Sequence, residues 1–129
     1  MSTPGLRNVE DLIAAGLVAA DDHATLKRVA ARYAIGLTQT VHALIDPTDP
    51  GDPIALQYVP AAAELIETSD ERADPIGDHA HTPVEGIVHR YPDRVLLKVV
   101  HVCPVYCRFC FRREMVGPQG DGNLPPAQL

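Results

Sequence analysis

The sequence predicts an α/β protein in which a helical N-terminal region leads into the first strand of a larger α/β domain. Apolar residues recur at helical spacing between residues 8 and 44, and a polar, proline-punctuated stretch follows. Residues 94–102, RVLLKVVHV, form a nearly continuous apolar and β-branched run, which is typical of a strand buried on both faces of a parallel sheet. The helices and loops before this run cannot bury it, so we expect a truncated sequence that stops after that first strand.

Two helical segments are predicted in the N-terminal region. Residues 8–15 have Asn8 as a suitable N-cap, acidic side chains in the first turn, and Gly16 as a stop signal. A second helix begins near Asp22, and its apolar positions keep helical spacing over several turns. Gly36 and the threonines after it are expected to break this second stretch into two helices.

The connecting segments are rich in proline and polar residues. Residues 46–54, DPTDPGDPI, contain three Asp-Pro steps and a glycine, so they predict a turn-rich connector. Pro60 is expected to open a short helix as its first residue. Residues 69–85 predict a long loop, in which His79 and His81 are interpreted as solvated side chains rather than metal ligands.

The net charge of −6 is distributed unevenly along the chain. Residues 1–85, the predicted helical and loop-rich N-terminal region, carry 5 basic and 14 acidic side chains. Residues 86–116 carry 6 basic and 2 acidic side chains, so positive charge gathers near the cysteines. We therefore divide the chain into 1–85 and 86–129. A short basic locality in an acidic protein favours a pocket for small carboxylates or phosphates over a nucleic-acid-binding face.

The composition favours a soluble globular protein, with 46% hydrophobic and 22% charged residues. No apolar run approaches the roughly 20 residues of a membrane-spanning helix. The first residues, MSTPGLRNVEDL, lack the basic segment and apolar core of a secretory signal. Clustered cysteines without such a signal favour metal or redox chemistry in a reducing compartment, so we expect a cytoplasmic protein without membrane or nucleic-acid partners.

All three cysteines lie within eight positions, spaced Cys103-x3-Cys107-x2-Cys110. Three thiols cannot close a disulfide framework, but they can bind zinc with His101 or His89 as a fourth ligand. They can instead bind three irons of a four-iron, four-sulfur cluster and leave the fourth iron without a protein ligand. The compact spacing, without a second distant pair of cysteines, favours the cluster.

These motifs carry a resemblance to a known family. The cysteine spacing, with Phe109 before the third cysteine, is identified as the radical S-adenosylmethionine signature. The stretch DPIGDHAHTPVEGIVHRYPDRVLLKVVHVCPVYCRFCFRREMVG, residues 74–117, resembles the lysine 2,3-aminomutase family of that superfamily, and DPGDPIALQYVPAAAEL, residues 49–65, is also similar to it. The resemblance implies that residues 86–129 begin a partial (β/α) radical S-adenosylmethionine barrel.

The resemblance further implies an isomerase that moves an amino group between adjacent carbons of an amino acid. Cys103, Cys107 and Cys110 would ligate the 4Fe-4S cluster, and S-adenosylmethionine would chelate its open iron. Pyridoxal phosphate would be the second organic cofactor. The implied partners are a small amino-acid substrate and an electron donor such as flavodoxin or ferredoxin, and a homo-oligomer is compatible with them.

Side chains around the cysteines acquire roles through the same resemblance. Phe109 corresponds to a residue beside the adenine of S-adenosylmethionine, with ordinary packing as the alternative. Arg112 corresponds to an arginine that pairs with the substrate carboxylate, with a solvated arginine as the alternative. Arg94 has the alternative of pairing with Asp93. The positions that correspond to the pyridoxal phosphate site are Arg90, Tyr91 and Arg94.

The resemblance leaves part of the family's machinery unassigned. The pyridoxal-binding lysine of the family lies far downstream of the cysteines, and neither Lys27 nor Lys98 corresponds to it. We therefore expect no catalytic residue within this chain and no activity of the chain alone. Free lysine, glutamate or a protein lysine side chain are all compatible substrates. The competing prediction is a non-catalytic fragment that binds zinc or iron.

Overall fold

The computed structural model describes residues 5–117. The helices are short, and a two-stranded sheet follows them in the chain. The α-helices and strands are α1 (Val9–Ala14), α2 (His23–Arg32), α3 (Gln39–His42), α4 (Pro53–Tyr58), β1 (Ile87–Tyr91) and β2 (Arg94–Leu97). Three single turns of 3-10 helix occupy Ala20–Asp22, Ala62–Leu65 and His79–His81. No helix within residues 5–117 is both long and apolar enough to cross a lipid bilayer.

The first helix has the ends that the sequence predicts. The Asn8 side chain accepts a hydrogen bond from the backbone N–H of Asp11 at 2.7 Å, which satisfies a donor that the helix leaves unpaired. Gly16 follows α1 with a φ of 72°, a conformation that glycine adopts without steric cost. Glu10 of α1 binds Lys27 of α2 at 2.8 Å and thereby links the two helices.

The prediction of helix beyond Arg32 is wrong for residues 33–37, which form an extended segment. Tyr33, Ile35 and Leu37 alternate along this segment, and all three are buried. Alternate side chains of an extended chain point to one face, which explains why burial recurs along this segment with a period of two. Leu37 exchanges both backbone hydrogen bonds with Leu6, at 2.9 and 3.0 Å.

The core lies between α1, α2 and the extended segment. Its fully or nearly buried members are all aliphatic, and they come from both sides of the Leu6–Leu37 pairing. They are Leu6, Val9, Leu12, Leu26, Ile35, Leu37 and Ile45. These buried members all come from the first 45 residues, and partly buried side chains of α4, among them Ile54 and Tyr58, pack against them.

The turn-rich connector at 46–54 is confirmed, and its last residues form the start of α4. The buried Asp52 carboxylate accepts backbone N–H bonds from Ile54 at 2.9 Å and Ala55 at 2.7 Å, while Pro53 occupies the first helical turn. The hydrogen bond from Ala55 is the main reason that the pKa of Asp52 is lowered. The helix expected after Pro60 is shorter than predicted, because only one 3-10 turn forms there.

The strand predicted at 94–102 is shorter, and its neighbour is antiparallel. β2 ends at Leu97, and it pairs with β1 in the register Ile87 opposite Leu97 and Val88 opposite Leu96. Val88 is buried, whereas Leu97 is 52% exposed. The prediction of burial on both faces is therefore wrong for the described residues. An apolar run favours burial, but burial also requires helices or strands that cover both faces of the strand.

Candidate functional site

The three cysteines lie on an irregular segment, residues 103–117, which we call the cysteine loop. All three are free thiols, with Cys103 exposed and the other two partly buried. The backbone N–H of Cys110 donates to the carbonyl of Cys107 at 3.2 Å, and that of Arg113 donates to the carbonyl of Cys110 at 3.1 Å. Successive tight turns therefore bring the second and third cysteines to one compact part of the loop.

Tyr106 holds the first half of the cysteine loop against the N-terminal region. Its backbone N–H donates to the carbonyl of Gly36 at 2.9 Å, and its hydroxyl oxygen accepts from the backbone N–H of Cys103 at 3.3 Å. The Tyr106 side chain is buried. A Cβ atom added at Gly36 would lie 2.7 Å from the Tyr106 ring, so this close approach requires a glycine.

Arg108, between the second and third cysteines, forms a buried ion pair. Its Nε lies 3.0 Å from one carboxylate oxygen of Glu64, and its Nη2 lies 2.6 Å from the other. The remaining Nη1 donates to the carbonyl of Ala34 at 2.7 Å. The backbone N–H of Arg108 donates to the carbonyl of Gln57 at 2.7 Å. A two-pronged, charge-assisted contact of this kind fixes both position and orientation.

The second half of the cysteine loop also contacts the N-terminal region. The buried Tyr33 hydroxyl donates to Glu114 at 3.0 Å, and the Arg113 guanidinium lies 4.4 Å from the centre of the Tyr33 ring. Burial, followed by this hydrogen bond, raises the pKa of Tyr33. The loop closes where the backbone N–H of Gly117 donates to the carbonyl of His101 at 2.8 Å.

A buried carboxylate, Asp78, binds two of the arginines singled out in the sequence. Its Oδ1 lies 3.0 Å from Nη2 of Arg90, and its Oδ2 lies 2.7 Å from Nε of Arg112. The Asp78 side chain is 2% exposed. Desolvation on its own would raise the pKa of Asp78, but the hydrogen bonds from Arg112 and Arg90 outweigh it and lower that pKa. We call these three residues the Asp78 network.

Comparison with known proteins identifies the family. Over 95 residues the chain is 41% identical to the L-lysine 2,3-aminomutase of Clostridium subterminale, a match that covers 74% of this chain and 23% of the relative. It is 34% identical over 127 residues to the L-lysine 2,3-aminomutase of Bacillus subtilis, covering 98% of this chain and 27% of the relative. The chain belongs to the lysine 2,3-aminomutase family. No family model matches it.

The chain is also similar to an aminomutase whose name gives a different amino acid, glutamate. The chain is 38% identical over 94 residues to the glutamate 2,3-aminomutase of Clostridioides difficile, which covers 73% of this chain and 22% of that relative. The chain thus spans about a quarter of the length of these curated relatives. Membership in the aminomutase family, predicted from the HRYPDR and cysteine motifs, is confirmed.

The structure brings together some of the family-predicted binding residues and leaves others apart. Arg90 and Arg112 meet at Asp78, although they lie 22 positions apart in the sequence. Arg94 instead pairs with its exposed neighbour Asp93 at 2.8 Å, which is the alternative left open by the sequence. Tyr91 is also exposed, with the Arg94 guanidinium 5.6 Å from its ring centre.

Phe109 remains accessible in this structure. Its side chain is 74% exposed and lies at an open cleft of about 670 Å³ between the cysteine loop and the helical region. Its neighbour Phe111 lies beneath the Arg112 guanidinium, 4.9 Å from ring centre to carbon. An aromatic face left uncovered next to Cys110 is free to stack on a planar ligand, so the predicted contact with an adenine is sterically open.

The thiols of the cysteine loop are the type of ligand that certain metal groups prefer. Three thiols with no disulfide partner form an all-sulfur donor set, which suits iron–sulfur clusters or zinc and not magnesium or calcium. Among residues 5–117, however, no three His, Cys, Asp or Glu side chains are gathered as a ligand set. The structure therefore brings the cysteines onto one loop without gathering their sulfur atoms, and cluster ligation stays a prediction.

Proposed function

We propose that this chain forms the cluster-binding part of a radical S-adenosylmethionine and pyridoxal-phosphate-dependent amino-acid 2,3-aminomutase. The observation that carries the proposal is the cysteine loop, with its three free thiols, in a chain 41% identical to an L-lysine 2,3-aminomutase. The partial (β/α) barrel belongs to the same proposal. β2, with exposed apolar side chains, would be its first strand.

The chain's own residues would prepare the loop for a cluster. Arg108 and Tyr106 fix the loop backbone on either side of Cys107, so the three cysteines would gather their sulfur atoms around an anchored Cys107 when they bind iron. When bound, the cofactors supply one-electron cleavage of S-adenosylmethionine and stabilisation of the substrate radical. Phe109 would offer its exposed ring to the adenine.

The arginines would bind the anionic groups of substrate and cofactor. Arg112 would pair with the α-carboxylate of the amino acid, and Arg90 with the phosphate of pyridoxal phosphate, because guanidinium donors match both anions. Tyr91 and Arg94 would lie near the same phosphate. An amino acid is the proposed substrate because relatives are named for lysine and glutamate. We propose flavodoxin or ferredoxin as electron donor.

Anaerobic reconstitution tests the proposal. The full chain is expected to bind about four irons and four sulfides, and the spectrum of the reduced cluster is expected to change when S-adenosylmethionine is added. Substituting Cys103→Ser, Cys107→Ser or Cys110→Ser should reduce the bound iron, whereas Val102→Ser, an exposed neighbour without a thiol, should retain it.

Two outcomes would contradict the proposal. A colourless protein that retains one zinc ion would support the non-catalytic metal-binding alternative. A cluster whose spectrum does not respond to S-adenosylmethionine would remove the open iron site. Substrate class is then tested by supplying lysine, glutamate or a lysine-containing protein to the complete enzyme and following the position of the amino group.

A further inference from the structure

Asp78 is held in place by the loop around it before it contacts either arginine. Its backbone N–H and that of His79 both donate to the Asp74 carboxylate, each at 2.9 Å. The Thr82 hydroxyl donates to the Asp78 carbonyl at 2.8 Å. The Asp78 carboxylate is therefore a fixed acceptor on a braced turn, and not a mobile side chain that happens to meet a cation.

The contacts of the Asp78 network leave particular donors of each arginine available. Arg112 uses only Nε for Asp78, so among the described residues its two terminal nitrogens make no hydrogen bond. Arg90 uses Nη2 for both Asp78 and the carbonyl of Ile76, at 2.6 Å from the latter. The two side chains are 32% and 29% exposed, for Arg90 and Arg112 respectively. Their remaining donors are accessible to anions from solvent.

The single carboxylate also resolves an electrostatic conflict. Two guanidinium groups brought to one place repel each other, and Asp78 is the anionic acceptor that they share. Asp78 neutralises one of the two charges and leaves the pair with a net charge of +1. An anion that binds the outer donors then meets two cations whose inner donors are already fixed.

We infer that Asp78 is a positioning residue that orients Arg90 and Arg112 for binding two anionic groups, a phosphate and a carboxylate. The inference rests on the proposed function, which supplies the identity of those groups, and it adds the residue that couples their two sites. The opposite role, an internal competitor that blocks both arginines, would need Asp78 to occupy their terminal nitrogens. Asp78 takes only Nη2 of Arg90 and neither terminal nitrogen of Arg112.

The test uses the full chain without a cluster, so that it does not depend on enzyme activity. The probes are acetate, for the carboxylate site, and pyridoxine 5′-phosphate, which has the phosphate but lacks the reactive aldehyde. Binding is followed by the NMR signals of the arginine Nε–H groups. Asp78→Asn should raise both dissociation constants about tenfold, the size expected for one charge-assisted hydrogen bond.

Two matched variants separate positioning from loss of charge. Asp21→Asn removes an exposed carboxylate outside the Asp78 network, and both dissociation constants should stay within twofold of the unsubstituted chain. Asp78→Glu keeps the charge on a longer side chain and should recover part of the binding. Unchanged or tighter binding in Asp78→Asn would overturn the inference, as would failure of both probes to shift the signals of the unsubstituted chain.

A measurement on the unsubstituted chain covers the case in which Asp78→Asn does not fold. The Arg112 Nε–H, donated to a buried carboxylate, should exchange with water at least tenfold more slowly than that of exposed Arg94. Equal exchange rates would contradict the positioning role. Because none of these readouts requires iron, their failure is distinguishable from failure of cluster assembly, which would instead contradict the proposed function.

Discussion

Arg108 and Glu64 form a buried, two-pronged ion pair across 44 positions of sequence, with side chains 6% and 11% exposed. This contact joins the cysteine loop to the 3-10 turn after α4. Since the Glu64 carboxylate also accepts the backbone N–H of Ala61 at 3.0 Å, one acidic side chain both shapes its own turn and receives the loop.

Removing one partner of this ion pair should strongly destabilise the protein. Arg108→Ala leaves the Glu64 carboxylate buried and unpaired, which costs about 3–5 kcal/mol of unfolding free energy. Urea denaturation measures the loss. Arg94→Ala, which removes an arginine from an exposed pair, is the matched control and should leave the midpoint unchanged. Equal midpoints for the two variants would mean that the Arg108–Glu64 contact does not hold the loop.

The close approach of Gly36 to Tyr106 gives a second prediction. Gly36→Ala places a methyl group 2.7 Å from the Tyr106 ring, and the buried ring has to move, at a cost of about 1–3 kcal/mol. Thermal unfolding should show a lower midpoint, and reconstitution should show less bound iron. Gly51→Ala is the control, because its added Cβ meets only the Asp49 side chain, at 3.4 Å. A normal midpoint in Gly36→Ala would contradict the close packing.

The contact between α1 and α2 predicts a dependence on acidity. Hydrogen bonds from Lys27, and then from His23, lower the pKa of Glu10 from 4.5 to about 2. A carboxylate whose pKa is lower in the folded state stabilises that state above pH 4.5, and this contribution is lost as the pH falls toward 2. Lys27→Gln should raise the pKa of Glu10 toward 4.5, measured by NMR titration of its side chain. An unchanged titration curve would mean that Lys27 does not hold Glu10 in solution.

The N-cap of α1 provides a local test. Asn8→Ala removes the acceptor for the Asp11 N–H and should cost about 1 kcal/mol of unfolding free energy. Asp22 precedes α2 but makes no side-chain capping bond, so Asp22→Ala should cost less. Urea denaturation of both variants checks the difference, and the prediction fails if Asp22→Ala is the more destabilised of the two.

Local signals account for the parts of the fold that the sequence predicted. Asn8 and Gly16 delimit α1 through hydrogen bonds and backbone conformations that involve only neighbouring residues. Pro53 and Asp52 do the same at the start of α4. By contrast, apolar spacing near Ile35 fits both a helix and an extended segment over a short range. The backbone pairing of Leu37 with Leu6, and not the composition of this segment, makes it extended.

The cysteine motif of the candidate site is visible in the sequence, whereas the contacts that hold the cysteine loop in place are not. Three cysteines in eight positions are visible in the sequence. Arg108, by contrast, is indistinguishable in the sequence from a solvated arginine, because only the fold brings Glu64 to it. The sequence likewise gives no sign that Asp78, in a polar loop, binds two arginines, because only the tertiary fold brings it to Arg90 and Arg112. Contacts across 12, 34 or 44 positions have no local signature.

The residues that bind Tyr106 and Arg108 are synthesised before the cysteine loop. Gly36, Gln57 and Glu64 all precede the cysteines in the chain, so the ribosome synthesises them first. During synthesis, folding generally begins with the N-terminal parts of a protein. The docking surface for the cysteine loop can therefore be complete when the cysteines leave the ribosome, which shortens the time that three free thiols spend on an unfolded segment.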